Sequence, residues 1–224
     1  MDYSTKQVVI TGANRGIGLA LVKQYVSRGA SVIALCREAS AELEATGARI
    51  EQGVDLTSDD LSQQLSERLA GSTIDILVNN AGMLASESLG SIDYDNVRAQ
   101  LEINALGPLR VTEALLPLMA TNSRIGLVTS RMGSIADNGS GGYYGYRMSK
   151  AALNAAGMSL ARDLKPRGIA VAILHPGFVQ TRMVNFAGDV SADDAAAGLV
   201  ARLAALTLSA TGTFWHANGD ELPW

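Results

Sequence analysis

The 224 residues, 47% hydrophobic and 18% charged, carry enough apolar material to bury a substantial core within one α/β domain spanning residues 1–224. The 18 Lys and Arg against 22 Asp and Glu leave a net charge of -4, with no basic tract and no basic–aromatic interleaving, which argues against nucleic acid and leaves room for a small anionic ligand at a local positive site. Cys36 is the only cysteine, so an intrachain disulfide or thiolate metal cage is excluded, and His175 and His216 are too few and too scattered to expect a metal. No apolar run approaches the ~20 residues that span a bilayer, and Met1 to Lys6 lead into an apolar strand without a charged-then-apolar leader, so a cytoplasmic protein free of membrane is expected.

Residues 7–10 read as a first strand. Thr11-Gly12-Ala13-Asn14-Arg15-Gly16-Ile17-Gly18 follows, then a helical pattern with Ile17, Leu21, Val22 and Tyr25 at core-facing spacing, then a second strand over 31–36. Such a βαβ unit places a ligand phosphate at a helix amino terminus, where unpaired N–H groups and the helix dipole favour an anion. Gly12 suits a tight turn, Gly16 close backbone approach to a pyrophosphate, and Gly18 close helix–strand packing. The spacing is Gly-x-x-x-Gly-x-Gly, not the common Gly-x-Gly-x-x-Gly.

A helical segment over 38–45 and a strand over 49–53 come next, leading to Asp55. Its carboxylate suits an adenine amino group at a strand end, or, with Ser58, a cap for a helix over 59–69. Residues 74–78 form an apolar fourth strand ending in Asn79-Asn80-Ala81-Gly82, and the two asparagines there either join neighbouring strands or line a cofactor cleft. A long helical pattern over 93–119 is interrupted by Asn104 and by Gly107-Pro108, where a kink is expected; Asn104 is either a satisfied core residue or a site residue. Residues 124–130 read as a fifth strand ending in Ser130, and the glycine-rich stretch 137–142 feeds a helix carrying Tyr146 and Lys150. Four residues apart, these two share one helix face, and an ammonium beside a phenol lowers a pKa that is ~10 in the free side chain. A sixth strand over 169–174, a helix over 192–206 and a last strand over 212–216 complete the alternation. It predicts a doubly wound Rossmann fold, a parallel sheet of about seven strands with helices on both faces.

Residues 11–18 and 79–82, Ser130, Tyr146 with Lys150, and Pro176-Gly177 through Thr181 occur in the order of the short-chain dehydrogenase/reductase family, and this resemblance spans nearly the whole chain. It implies hydride exchange between a nicotinamide and a carbonyl or alcohol carbon. Tyr146 would move the proton, Ser130 would orient the same oxygen, and Lys150 would lower the Tyr146 pKa and bind the ribose. Asn104, at the family's fourth catalytic position, would hold a water linking Lys150 to solvent. Ser134 and Tyr143 are rivals for the serine and tyrosine roles, because the stretch between Ser130 and Tyr146 is longer than is common; Ser130 is preferred as a strand end and Tyr146 for its lysine. The implied cofactor contacts are Gly12, Asn14, Arg15, Gly16, Ile17 and Gly18 in the first turn, with Arg37, Asp55 and Leu56 after the second and third strands. Asn80, Ala81 and Gly82, then Tyr146 and Lys150, and finally Pro176, Gly177, Val179 and Thr181 complete that set.

Cofactor preference follows from charge: no acidic residue ends the second strand, and Arg15 and Arg37 can clamp a 2′-phosphate, so NADP(H) is expected. Loops near 83–86, 131–143 and 177–190 would form an open substrate pocket lined by Met132, Tyr143, Phe178, Met183 and Phe186. Residues 129–134, 142–150 and 218–224 resemble the C-factor and sniffer-type carbonyl reductase branch, which implies an NADPH-dependent reductase of small apolar aldehydes or ketones. It also implies a homodimer or homotetramer, paired through the helices of Asn104 and Tyr146. The alternative is a nucleotide-binding signalling or redox-sensing protein with little turnover.

Overall fold

The computed structural model describes residues 2–224. Strands β1 (Gln7–Thr11), β2 (Ser31–Leu35), β3 (Arg49–Glu51), β4 (Ile74–Asn79), β5 (Met119–Val128), β6 (Ala170–His175) and β7 (Phe214–His216) form one parallel sheet in the order β3-β2-β1-β4-β5-β6-β7. Side chains alternate across it. Val8 and Ile10 of β1 enter one core and Val9 the other, and Ala172 and Leu174 of β6 oppose Val171 and Ile173 in the same way. Both faces are therefore buried, which is why the strands read as unbroken apolar runs.

Helices α1 (Gly16–Ser27) and α7 (Ala192–Ala205) cover the first face through Leu21, Tyr25, Leu199 and Leu203. Helices α3 (Leu61–Arg68), α5 (Gly107–Leu115) and α6 (Tyr144–Leu164) cover the second through Leu61, Leu65, Val111, Leu115, Leu153 and Leu164. The short α2 (Ala41–Glu44) follows β2, and α4 (Tyr94–Leu101) precedes α5. The chain leaves β1 toward β2 and β3, then returns to β4 on the other side of β1. A crevice opens at such a reversal, beyond the carboxyl ends of the strands. No helix of the described residues is long and apolar enough to cross a membrane.

Two local departures from the sequence expectation bear on the site. The helical pattern over 93–119 is divided into α4, a π-helical turn at Glu102–Leu106, and α5, while Met119 already pairs with Ile74 as the first residue of β5. In the turn the Gly107 N–H donates to the Glu102 carbonyl, five residues back, and Pro108 has no N–H to offer the Asn104 carbonyl. Ser130 lies two residues beyond β5. The Thr129 N–H extends the ladder to the Leu174 carbonyl at 2.8 Å, after which the Ser130 hydroxyl accepts from the Met132 N–H at 3.1 Å and opens a 3-10 turn at Arg131–Gly133.

Candidate active site

The glycine turn after β1 is packed too closely to tolerate side chains. A methyl at Gly12 (φ 64°) would lie 2.8 Å from the Ala81 Cα, and one at Gly18 would lie 2.1 Å from the Gly12 carbonyl oxygen. At Gly16 (φ 54°) it would meet the Thr181 Cγ2 at 3.3 Å, so the segment after β6 crosses directly over this turn. The first turn of α1 has neither a side-chain cap nor an acidic residue, and its amide groups suit the phosphates of a dinucleotide. Asn80 stitches β4 to this turn: its side-chain amide donates to the Thr11 carbonyl at 3.0 Å and the Gly12 carbonyl at 3.2 Å. The Thr11 hydroxyl accepts the N–H groups of Asn80 and Ala81, both at 3.0 Å, a role the sequence reading missed. Asn79 turns the other way and donates to the Thr112 hydroxyl. Gly18→Ala should lose dinucleotide binding in a fluorescence titration and destabilise the protein by about 1–3 kcal/mol in denaturant melts, the usual cost of overpacking.

Arg15 and Arg37 are exposed at the carboxyl ends of β1 and β2, and neither guanidinium makes a hydrogen bond or ion pair among the described residues. The segments that carry them are tied together. The Asn14 amide donates to the Glu38 carbonyl at 2.9 Å, and the Ser40 hydroxyl donates to the Asn14 carbonyl at 2.8 Å while capping α2. Asp55 caps no helix; its carboxylate accepts both the N–H and the hydroxyl of Thr57, and these bonds, with a smaller contribution from the Arg37 charge, hold its pKa below the usual value. The N-cap of α3 is instead Asp60, whose side chain makes no capping bond. Leu56 is buried where a methyl on Gly107 would come within 2.9 Å of its Cβ, and Ile17 is half-buried against the first core.

Tyr146 and Lys150 lie together on the buried face of α6, with the ammonium 5.8 Å from the centre of the phenol ring. Lys150 donates to the Val128 carbonyl at 2.9 Å. Burial pushes the phenol up to about 12, opposed in part by a hydrogen bond with Ser130, and burial pushes Lys150 down to about 8. This corrects the expected lowering of the Tyr146 pKa by Lys150: the ammonium is turned to a carbonyl, and desolvation dominates. Ser130 reaches α6 because Gly133 has no side chain; a methyl there would lie 2.7 Å from the Lys150 carbonyl carbon. The Thr129 hydroxyl anchors the same turn by donating to Asn154 at 2.7 Å.

The rival residues are placed elsewhere. The Ser134 hydroxyl accepts from the Asp137 N–H at 3.1 Å, and Tyr143 is an exposed left-handed residue (φ 51°) just before α6. Asn104 is fully buried and its side chain makes three hydrogen bonds. Its oxygen accepts the Met83 N–H at 2.8 Å, and its amide donates to the Met83 carbonyl at 2.8 Å and to the Ser149 hydroxyl at 2.9 Å. A methyl on Gly82 would stand 3.1 Å from that oxygen and 3.6 Å from the Lys150 Nζ, so the backbone after β4 closes one side of the same cluster.

Beyond β6, Pro176 is buried and Gly177 is left-handed (φ 94°), while Val179 bridges to Val190. The Phe178 carbonyl accepts the N–H groups of Asp189 and Val190, so residues 178–190 fold back on themselves. Phe178, Met183 and Phe186 are exposed on this loop, Phe186 in the left-handed region (φ 60°), and Met132 is half-buried. His175 and His216, scattered in sequence, meet with ring centres 5.0 Å apart; burial, then His216 and Arg131, push His175 down to about 3.

Residues 6–191 match the short chain dehydrogenase family model. The chain is 42% identical over 223 residues to the 1-hydroxy-2-glutathionyl-2-methyl-3-butene dehydrogenase of Rhodococcus sp. (strain AD45), covering 97% of this chain and 99% of that protein. It is 45% identical over 154 residues to the C-signal protein of Myxococcus xanthus, covering 67% of this chain and 93% of that one. Among solved structures it resembles a carbonyl reductase from Pseudomonas aeruginosa PAO1 in complex with NADP, with a TM-score of 0.82, 31% identity, and coverage of 98% of this chain and 100% of that one. The glycine turn, the Asn-Asn-Ala-Gly strand end and the phenol–ammonium pair thus stand in a chain that belongs to the short chain dehydrogenase family, on its carbonyl reductase and C-signal side.

Proposed function

We propose that the protein is an NADP(H)-dependent oxidoreductase that interconverts a carbonyl and an alcohol on a small, largely apolar molecule. The observation that carries this reading is the convergence of the Tyr146 phenol, the Ser130 hydroxyl and the Lys150 ammonium at the carboxyl edge of the sheet, on the side where the glycine turn of α1 opens. The bound nicotinamide would supply or accept the hydride. Tyr146 holds the proton for the carbonyl oxygen, and a phenol raised to about 12 by burial keeps that proton through the neutral range. Ser130 fixes the oxygen by a second hydrogen bond, and Lys150 contributes positive charge near the phenol and a donor for the ribose. The free guanidinium groups of Arg15 and Arg37 suit a 2′-phosphate, and the relative bound to NADP supports that choice. Dehydrogenase and carbonyl reductase, the names carried by two relatives, describe the two directions of one such interconversion.

Exposed Tyr94, Leu106 and Met148 on α4, the π-helical turn and α6 fit pairing of two copies through these helices. Purified protein supplied with NADPH and a panel of aldehydes and ketones should consume the cofactor with at least one of them. The C-signal relative favours a second reading, a nucleotide-binding signalling protein, which NADPH binding without turnover of any compound would support.

Lys150 also makes the free protein's stability depend on pH. Its pKa falls from 10.5 to about 8 on folding, so between those values the unfolded chain holds more protons than the folded one. Its contribution to stability is complete above 10.5 and is lost as the pH falls to about 8. The melting temperature of the wild type relative to Lys150→Met should therefore rise between pH 8 and pH 10.5 in differential scanning fluorimetry without cofactor. A constant difference would mean that the ammonium is not desolvated.

A further inference from the structure

Glu87 is 4% exposed, and among the described residues no cation pairs with it. A buried carboxylate is costly unless donors satisfy it. Two do: the Gln100 side-chain amide donates to one oxygen at 2.6 Å, and the Gly145 N–H donates to the other at 3.0 Å. Gly145 is in the first turn of α6, next to Tyr146, and the residue before the helix, Tyr143, provides no side-chain cap. The cap comes instead from a segment 58 positions away in sequence, and it sits where the helix dipole favours negative charge. The fit leaves no slack. A methyl on Gly145 would lie 2.4 Å from the Gln100 Nε2 and 3.0 Å from the Glu87 Oε1.

The same segment is pinned along its length. The Tyr143 N–H donates to the Glu87 carbonyl at 3.0 Å, and the Ala85 N–H donates to the Gln100 Oε1 at 3.0 Å. One turn beyond Gln100, Asn104 takes both polar groups of the Met83 backbone. Residues 83, 85 and 87 are thus held at alternate positions by side chains that share one helix face, as a strand would be held by a neighbouring strand. We propose that Glu87 is a positioning residue for the reaction: through the Gly145 N–H it fixes the first turn of α6, and so keeps the Tyr146 phenol in register with Ser130. This rests on the oxidoreductase reading above.

The hydrogen-bond directions supply a strict test. In Glu87→Gln the new amide nitrogen can face the Gln100 Nε2, two donors without an acceptor. Exchanging the pair, Glu87→Gln with Gln100→Glu, restores every bond. The Ala85 N–H and the new amide at position 87 both donate to the new carboxylate at position 100, and the Gly145 N–H donates to the amide oxygen at position 87. Glu87→Ala and Glu87→Gln should each lower kcat for a carbonyl substrate by about tenfold or more, as expected for a displaced acid, with the KM for NADPH within about twofold. The amides of residues 145–147 should exchange with deuterium about tenfold faster in the single variants, with no change in distant helices, and the exchanged pair should recover both properties to within about threefold. Unchanged exchange at 145–147, faster exchange with unaltered kcat, or an exchanged pair no better than the single variants would overturn the proposal. A wild type that binds NADPH but reduces no carbonyl would refute the oxidoreductase reading instead, and with it the link to Tyr146, while amide exchange would still decide whether Glu87 locks the helix.

Discussion

Tyr146→Phe should reduce turnover by about 10²–10⁴-fold, the range typical for loss of a positioned general acid, while NADPH binding changes far less. The substitution removes one oxygen from a residue that is 8% exposed and leaves its ring in place, so the packing of α6 against the Arg131–Gly133 turn persists. What is lost is the proton for the substrate oxygen and the partner of the Ser130 hydroxyl. Tyr143→Phe is the matched control. That side chain is exposed and outside the buried cluster, so its variant should lose far less of kcat than Tyr146→Phe, with any contribution to the expected substrate pocket read in KM. Steady-state rates with a common carbonyl substrate, beside NADPH titrations followed by fluorescence, would check both. Comparable losses in the two variants would remove the assignment of Tyr146.

Arg37→Asp should weaken NADPH binding by about 10–100-fold and leave NADH binding nearly unchanged. A hydrogen bond between a guanidinium and a phosphate is worth about 1.5–3 kcal/mol, and the new carboxylate would add repulsion to that loss. The side chain is free to make the contact, since it has no hydrogen bond or ion pair of its own among the described residues. Its loop is also well held, with Asn14 and Ser40 tying residues 38–40 to the glycine turn that carries Arg15. Isothermal titration with each cofactor would measure the ratio directly. Equal weakening for both cofactors would mean that Arg37 supports the fold of the loop and does not read the phosphate.

The parts of the site that were legible in the sequence are those whose geometry is local. Gly12, Gly16 and Gly18 announce a crowded turn by their spacing, and Tyr146 and Lys150 share a face because they are four residues apart on α6. Bonds between distant segments left weaker traces. Thr11 and Asn80 are 69 positions apart: joining neighbouring strands was one of the roles expected of Asn80, but nothing near Thr11 marks its hydroxyl as the partner. Gly145 did carry a signal, since glycine in a helix costs stability relative to alanine and needs a reason; the reason is the close approach of Gln100 and Glu87. The Tyr146 pKa was misjudged because helical spacing brings the ammonium to the ring without saying which oxygen it will face, and in the fold it faces the Val128 carbonyl. The interruption expected at Asn104 and Gly107-Pro108 is there, in the form of a π-helical turn that apolar periodicity does not register. The end of the long helical pattern was misread, because Met119 is as apolar in β5 as it would have been in a helix.

Hydride transfer to a carbonyl carbon, with the proton supplied by Tyr146, is the central claim, and isotopic labelling tests it most directly. NADPH carrying deuterium at the transferable nicotinamide position should yield, with a carbonyl compound turned over by the wild type, an alcohol bearing deuterium on the former carbonyl carbon, and Tyr146→Phe should bind the same cofactor yet form almost none. Tight NADPH binding with no deuterium in the product of any aldehyde or ketone, or equal labelling by the Tyr146→Phe variant, would contradict the account.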